Sequence, residues 1–162
     1  MPEIAIDACV FIHLLNPQNN EGAHIDKVLR HLLDEKFMLL VDSTGKISKD
    51  YVAQVIPMIR GVYEEGDQRI LLTGWMLPDR HTSVALDPTD QLMTAIKNVI
   101  HEVAEHADRA FVYVACKNDT ALITNDEEHI LSRRKVLLKS TKGCRGVNTS
   151  IVSSKEAYKG IA

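Results

Sequence analysis

Residues 107–126 read ADRAFVYVACKNDTALITND, and this stretch decides which fold we expect. Its first part begins at Asp108 and is largely apolar, which predicts a helix that ends in the polar run 117–119. Its second part, Ala121–Thr124, is a short apolar run that predicts a buried strand. A further short helix is expected directly afterwards, over residues 125–131.

Strands and helices alternate in both directions from this stretch. Apolar runs predict further strands at Glu3–Asp7, Phe37–Val41, Val136–Leu138 and Val147–Val152. Helices are predicted over the segments 8–15, 25–33, 48–62 and 90–107, with a last helical turn from residue 153. In the segment 48–62, Ser48 is the expected N-cap and Pro57 the expected break.

This alternation is typical of an α/β fold. We therefore expect a three-layer α/β/α domain with a mainly parallel central sheet of four to five strands. Residues 66–90 show no readable pattern because two glycines and two prolines interrupt them. Within that segment, Trp75 is expected to pack at the edge of the core.

Length and composition narrow the class of protein. A chain of 162 residues, 45% hydrophobic and 25% charged, predicts one soluble domain over residues 1–162. No apolar run has the length that crosses a bilayer, and the first residues do not resemble a secretory signal, so we expect a cytoplasmic location without membrane contact. Three scattered cysteines argue against a disulfide framework and favour a reducing compartment.

The charge balance bears on nucleic-acid binding. A net charge of −3 argues against a protein that coats nucleic acid with a generally basic surface. It is compatible with an enzyme that gathers carboxylates around a cation. Six basic residues crowd the stretch 133–145 and could follow a phosphate backbone, although a solvated face is the simpler interpretation.

Four aspartates stand where strands end or helices begin. Asp7 ends the first strand, Asp126 follows the Ala121–Thr124 strand, Asp108 begins a helix, and Asp50 lies in the first turn of another. In a parallel sheet these places face one edge. Helix capping explains any one of the last three, but Asp7 should be buried, and a buried carboxylate needs a partner or a cation. Together they predict a shared cation site, for which oxygen ligands favour Mg²⁺ or Mn²⁺.

These residues resemble the PIN-domain family of nucleases. Ile4–Val10 is similar to the family's first strand, which ends in an Asp. Residues 107–126 are similar to its most recognisable stretch, an Asp-led helix, a small turn, a short apolar strand and then Thr-Asn-Asp or a close variant. Residues 146–152 with the following Ser-Ser-Lys-Glu resemble its closing strand and short helix. The resemblance extends over most of the chain, except residues 66–90.

The resemblance implies a Mg²⁺- or Mn²⁺-dependent phosphodiesterase, usually acting on RNA, single-stranded or structured, with DNA as an alternative substrate. It also implies a homodimer, and an antitoxin or another defence-system or RNA-processing partner. It assigns the following residues to the site: Asp7, Asp108 and Asp126 as metal ligands, Asp50 as a fourth catalytic acid, and Thr124 and Asn125 as supporting residues.

Two other functions compete with the nuclease hypothesis. A catalytically degenerate PIN-like module would bind or scaffold, and two departures from the family pattern favour it. Asp50 is one methylene shorter than the usual Glu, and Cys9 replaces a small polar residue. A receiver-like phosphatase with Asp7 as phosphoryl acceptor ranks last, because it needs an acid where Cys9 stands.

Other polar residues have simpler interpretations. None of the seven histidines forms a recognisable metal-binding pair on one helix. His101 and His106 flank Glu102 and Glu105 at what we interpret as a solvated helix end, and both glutamates are candidates to border the site. Asp42 is expected to make an Asx hydrogen bond in a turn.

Overall fold

The computed structural model describes residues 1–15, 22–61, 66–101 and 106–161, and these form an α/β fold. Within these ranges the strands make one parallel sheet with the order β3-β2-β1-β4-β5. The strand bounds are β1 Glu3–Ile6, β2 Met38–Asp42, β3 His81–Val84, β4 Ala121–Ile123 and β5 Ser150–Val152. This confirms the fold class predicted from the sequence, with a sheet of five strands.

Helices connect the strands and cover the sheet. The helix bounds are α1 Ala8–Leu14, α2 Gly22–Asp34, α3 Lys46–Gln54, α4 Ile56–Gly61, α5 Gly66–Met76, α6 Gln91–Lys97, α7 His106–Lys117, α8 Arg134–Ser140 and α9 Ser154–Ile161. One group consists of α2 with α1, α5 and α9 around it, and another of α6 with α7 and α8. Helix α7 packs directly on β1, β2 and β4. In the described ranges, no helix combines the length and the apolar character that a membrane span requires.

The predicted break near Pro57 is confirmed. The chain forms two shorter helices, α3 and α4, which meet at Val55. Pro57 is the second residue of α4, where a backbone N–H would have no partner within the helix, so proline is tolerated there.

The helix predicted over residues 90–107 begins where expected, with Asp90 as the N-cap of α6, but its predicted length is wrong. Helix α6 ends at Lys97, and residues 102–105 lie outside the described ones. Beyond it, the carbonyl of Val99 accepts a hydrogen bond from Arg133 Nη1 at 3.1 Å, and that of Ile100 accepts one from Arg109. Arginines thus satisfy carbonyls that a continuing helix would have used. The apolar stripe persists across this turn because Ile100 is still buried in the core, which is why periodicity suggested a single helix.

Residues 136–138 belong to helix α8, not to a strand. Only Leu137 of this run is buried, whereas 57% of Val136 is exposed. Three apolar residues in a row fit either element, and here a single inward position suits a helix that crosses the surface. The predicted helix over 125–131 is also wrong, because this segment forms turns followed by a 3₁₀ helix over Leu131–Arg133.

Residues 66–90 contain two elements that the sequence did not reveal. They are helix α5 and the edge strand β3, whose register with β2 runs from Leu39↔His81 to Asp42↔Val84. Trp75 is completely buried, and its indole Nε1 donates to the Leu29 carbonyl at 3.3 Å. The expectation that Trp75 packs at the core edge is therefore wrong.

The start of α3 is held by Asp42, not by Ser48, which lies within the helix. The Asp42 carboxylate accepts from the backbone N–H groups of Ile47 at 2.8 Å and Lys46 at 3.2 Å, and from the Thr44 hydroxyl. Gly45 between them has φ of +82°, which glycine adopts readily. The turn predicted at Asp42 is present, and this buried carboxylate also caps the helix.

Replacing Asp42 with Ala is expected to lower the free energy of unfolding by about 2 kcal/mol, because buried donors at the start of α3 lose their acceptor. Urea denaturation at pH 7 measures this loss. Burial by itself raises the pKa of Asp42, but the hydrogen bonds outweigh it and hold the pKa below its ordinary value. This stabilisation is therefore present above the unfolded pKa and lost as the pH falls through the folded one.

The exposed Asp34→Ala variant is the control for this experiment and should change stability by less than about 0.5 kcal/mol. Equal losses in both variants would contradict the capping role of Asp42.

Candidate metal centre

The carboxyl ends of β1 and β4 meet at the point where the strand order reverses. The chain passes outward from β1 to β2 and β3, then returns across the sheet to β4 and β5. Ligand sites of open parallel sheets lie in the crevice at such a switch point. Asp7 follows β1, and Thr124, Asn125 and Asp126 follow β4, so the sequence places polar residues at this crevice.

Two backbone hydrogen bonds hold these strand ends in register. The N–H of Asp7 donates to the Ile123 carbonyl at 2.9 Å, and the N–H of Thr124 donates to the Val152 carbonyl at 2.9 Å. On the other side, the completely buried phenol of Tyr51 donates from α3 to the Ile6 carbonyl at 2.5 Å. The edge that bears Asp7 is therefore fixed from both sides.

Asp7 is a buried N-cap with few polar contacts. Its Oδ1 accepts from the Cys9 N–H at 3.3 Å, its Oδ2 accepts from the Thr124 hydroxyl at 2.8 Å, and only 5% of the residue is exposed. Burial raises the pKa of Asp7 to about 6, the hydrogen bonds oppose this shift, and the negative charges of Asp126 and Asp50 add to it. Two of the other acids predicted for the site, Asp50 and Asp126, are thus close enough to influence Asp7.

Thr124 links Asp7 to Asp126. Its completely buried hydroxyl donates to Asp7 and accepts from the Asp126 N–H at 3.0 Å. The Cys9 sulfur lies 3.8 Å from this hydroxyl and accepts from the Asn125 N–H at 3.4 Å. Burial raises the pKa of the Cys9 thiol, so Cys9 is a neutral neighbour of the acids and not a further anion.

Asn125 anchors the segment that carries Asp126. Its Oδ1 accepts from both the backbone N–H and the hydroxyl of Ser154, each at 3.0 Å, at the start of α9. Its Nδ2 lies 3.3 Å from His13 Nδ1 on α1. The side chain therefore joins the end of β4 to two helices, and its role in support of the site stays a prediction.

Replacing Asn125 with Ala is expected to lower the free energy of unfolding by about 2 kcal/mol, because the buried Ser154 loses its acceptor. Guanidinium denaturation measures the loss, and hydrogen exchange should locate the added exchange in α9. Exchange in α9 that matches the unaltered protein would contradict this role.

Asp108, Asp126 and His129 form a cluster in front of this edge. One potential ligand atom from each lies within 4.8 Å of the others, and all three residues are partly exposed. His129 Nδ1 lies 3.2 Å from Asp126 Oδ2 and 3.8 Å from Asp108 Oδ2. The backbone N–H of His129 donates to Asp126 Oδ1 at 2.9 Å.

His129 did not emerge from the sequence as a site residue. Its three-residue spacing from Asp126 was the available signal, but no partner histidine was nearby and Asp108 lies far away in the sequence. The turn over 127–130 places the imidazole against both carboxylates. Glu102 and Glu105, predicted to border the site, lie outside the described residues, as does the side chain of His106.

Asp50 approaches the site from α3 without joining the cluster. Among the described residues, the group of potential ligands does not include Asp50 or Asp7. Burial raises the pKa of Asp50, and the hydrogen bond that its carboxylate accepts from Gln54 works against this shift. The charge of Asp50 raises the pKa of Asp7. A catalytic role for Asp50 and shared coordination of one ion by Asp7, Asp108 and Asp126 stay predictions.

The donor set of this centre suits a divalent cation. Two carboxylates and an imidazole converge, with the buried Asp7 carboxylate behind Thr124. Several acids in one place favour a bound cation, which offsets their mutual repulsion.

Arginines in the basic stretch 133–145 have structural partners: Arg134 pairs with Glu156 at 2.6 Å, and Arg145 donates to the Leu138 carbonyl at 3.1 Å.

The sequence matches no protein-family model and no curated protein. Among solved structures, the chain is similar to one in the structure of FitAB bound to an IR36 DNA fragment. The alignment covers 93% of this chain and 94% of that chain, at 13% sequence identity and a TM-score of 0.44. At these values the similarity assigns neither a family nor an activity to this chain.

Proposed function

We propose that this protein is a metal-dependent endoribonuclease of the PIN type, with Asp7, Asp108 and Asp126 as the ligands of Mg²⁺ or Mn²⁺. The observation that carries the proposal is that acids from separate segments lie close together at the switch point of the sheet: Asp108 and Asp126 offer oxygens within 4.8 Å of each other, and the Thr124 hydroxyl links Asp126 to Asp7. Asp7 follows β1, Asp126 comes after β4 and Asp108 lies in α7. Helix capping cannot explain why residues this distant in sequence lie close together, whereas binding of a shared cation can.

A bound divalent cation would supply Lewis-acid activation of the phosphodiester and of water. The protein's own residues would position the ligands and accept the proton that the attacking water releases. Thr124 fixes Asp7 and the backbone of Asp126 relative to each other. We assign Asp50 to accept the proton of the attacking water, because burial raises its pKa and it lies outside the cluster of ligand atoms.

Cleavage assays on end-labelled substrates test this function. EDTA-treated protein should be inactive, and Mn²⁺ or Mg²⁺ should restore cleavage of single-stranded or structured RNA. Hydrolysis by an external water expels the 3′-oxygen, so the products should carry 5′-phosphate and 3′-hydroxyl ends. Activity in EDTA, or products with 2′,3′-cyclic phosphate ends, would contradict the proposal. Single-stranded and duplex DNA in the same assay decide whether the substrate is RNA alone.

A binding or scaffold role is the second candidate, and the contact between Asp50 and Gln54 favours it. A carboxylate engaged by a neighbouring amide is less available to take a proton. Retention of RNA in a gel-shift assay with Mn²⁺, without any cleavage, would support this role. A homodimer and an antitoxin or other defence-system partner stay predictions from the family resemblance.

A further inference from the structure

We propose that His129 Nδ1 is a ligand of the cation together with Asp108 and Asp126, and that this nitrogen makes the centre prefer Mn²⁺ over Mg²⁺. The inference rests on the proposed metal centre and deepens it, because an all-carboxylate site would not discriminate in this way. It concerns which ion is bound and through which atom.

The spacing of the three side chains fits one ion. Ligand atoms that each lie about 2.1 Å from an octahedral ion are about 3 Å apart when adjacent and about 4.2 Å apart when opposite. The separations of His129 Nδ1 from the Asp126 and Asp108 oxygens, 3.2 and 3.8 Å, fall between these limits. The hydrogen bond from the His129 N–H to Asp126 Oδ1 holds the backbone of this turn in place.

The second nitrogen of the ring also has a suitable neighbour. His129 Nε2 lies 3.7 Å from Oε1 of the exposed Glu128. A histidine that binds a metal through one nitrogen carries its proton on the other, and a carboxylate near that N–H favours the required tautomer. Glu128 is in a position to do this for His129.

Donor chemistry gives the preference for manganese. Mg²⁺ binds oxygen ligands and gives up its waters reluctantly, whereas the first-row transition ions accept imidazole nitrogen readily. A set of two carboxylates and one imidazole therefore favours Mn²⁺ over Mg²⁺. Without the nitrogen, the two ions would compete on nearly equal terms.

Electron spin-echo spectroscopy of the Mn²⁺-loaded full-length protein tests the ligand directly. The unaltered protein should show ¹⁴N modulation from a coordinated imidazole. His129→Asn places an amide near the former Nδ1 position and should abolish this modulation. His31→Asn removes an exposed histidine of α2 and should leave the modulation unchanged. Circular dichroism confirms that each variant is folded.

Calorimetric titration tests the selectivity. His129→Asn should weaken Mn²⁺ binding about ten-fold or more and Mg²⁺ binding less than about three-fold. Failure to bind Mn²⁺, absence of ¹⁴N modulation in the unaltered protein, or its persistence in His129→Asn would overturn the inference. RNA cleavage without ¹⁴N modulation would leave the proposed function standing, whereas modulation without cleavage would support the ligand and contradict the nuclease.

Discussion

Asp126→Asn is expected to abolish metal-dependent RNA cleavage, with kcat falling by about three orders of magnitude or more. Asp126, like Asp108, was predicted from the sequence as a metal ligand and lies in the cluster with His129, whose Nδ1 is 3.2 Å from Asp126 Oδ2. Asparagine keeps an oxygen that can accept from the His129 N–H, so the turn should be preserved. The change removes the charge that would neutralise the cation. Single-turnover cleavage of labelled RNA with Mn²⁺ measures the effect.

The same variant should lose the stabilisation that a bound cation gives to the folded state. In the unaltered protein, Mn²⁺ at a hundred times its dissociation constant should add about 2.7 kcal/mol of stability. Asp126→Asn should show little of this shift in thermal melting, whereas the exposed Asp34→Asn should show all of it. Cleavage by Asp126→Asn within about ten-fold of the unaltered rate would remove Asp126 from the proposed centre.

The sequence predicted the strand-end acids because their positions depend on topology alone. Once a parallel sheet is expected, a residue that directly follows a strand must lie at the carboxyl edge. Asp7 satisfies this condition, Asp126 comes after β4 with only Thr124 and Asn125 between them, and both acids stand beside the switch point. The register of β1 with β4 then brings them near Thr124, whose hydroxyl serves both.

The elements that were missed have weak local signals. Strand β3 reads His-Thr-Ser-Val, and only Val84 of it is buried, so neither alternation nor an apolar run marks it. Its stability comes from pairing with β2, which is a tertiary interaction. The contribution of His129 likewise depends on a turn that local periodicity does not define.

The assignment of Asp7 to the metal site rests on the unfavourable burial of its negative charge, and this effect can be measured without substrate. Asp7 is buried, and its hydrogen bonds from Cys9 and Thr124 do not offset the loss of water, so its pKa rises from an ordinary 3.8 to about 6. The folded protein therefore binds this proton more tightly than the unfolded chain does. In the absence of metal, ionising Asp7 destabilises the fold.

The effect of Asp7 ionisation on the free energy of unfolding has a definite sign and a definite pH range. Below about pH 4 Asp7 is protonated in both states, and its effect on stability is absent. Between pH 4 and 6 the folded state holds more protons, so the free energy of unfolding falls as the pH rises. Above pH 6 the full loss of about 3 kcal/mol is reached, since one pKa unit corresponds to about 1.4 kcal/mol.

Asp7→Asn is therefore expected to remove metal-dependent cleavage and yet to stabilise the metal-free protein at pH 7.5 by up to about 3 kcal/mol, or roughly 5–10 °C in Tm. Asparagine is as good an N-cap as aspartate, so α1 should keep its start. Melting curves in EDTA from pH 4 to 8 measure the difference between the variant and the unaltered protein. That difference should be small at pH 4 and should grow through pH 6.

Thr124→Val provides the matched comparison. Loss of the hydrogen bond from Thr124 should raise the pKa of Asp7 further, so the pH range over which stability falls should extend to higher pH. An Asp7→Asn variant that is less stable at every pH, or that still cleaves RNA with Mn²⁺ at the unaltered rate, would contradict the proposal that the buried Asp7 carboxylate binds a cation.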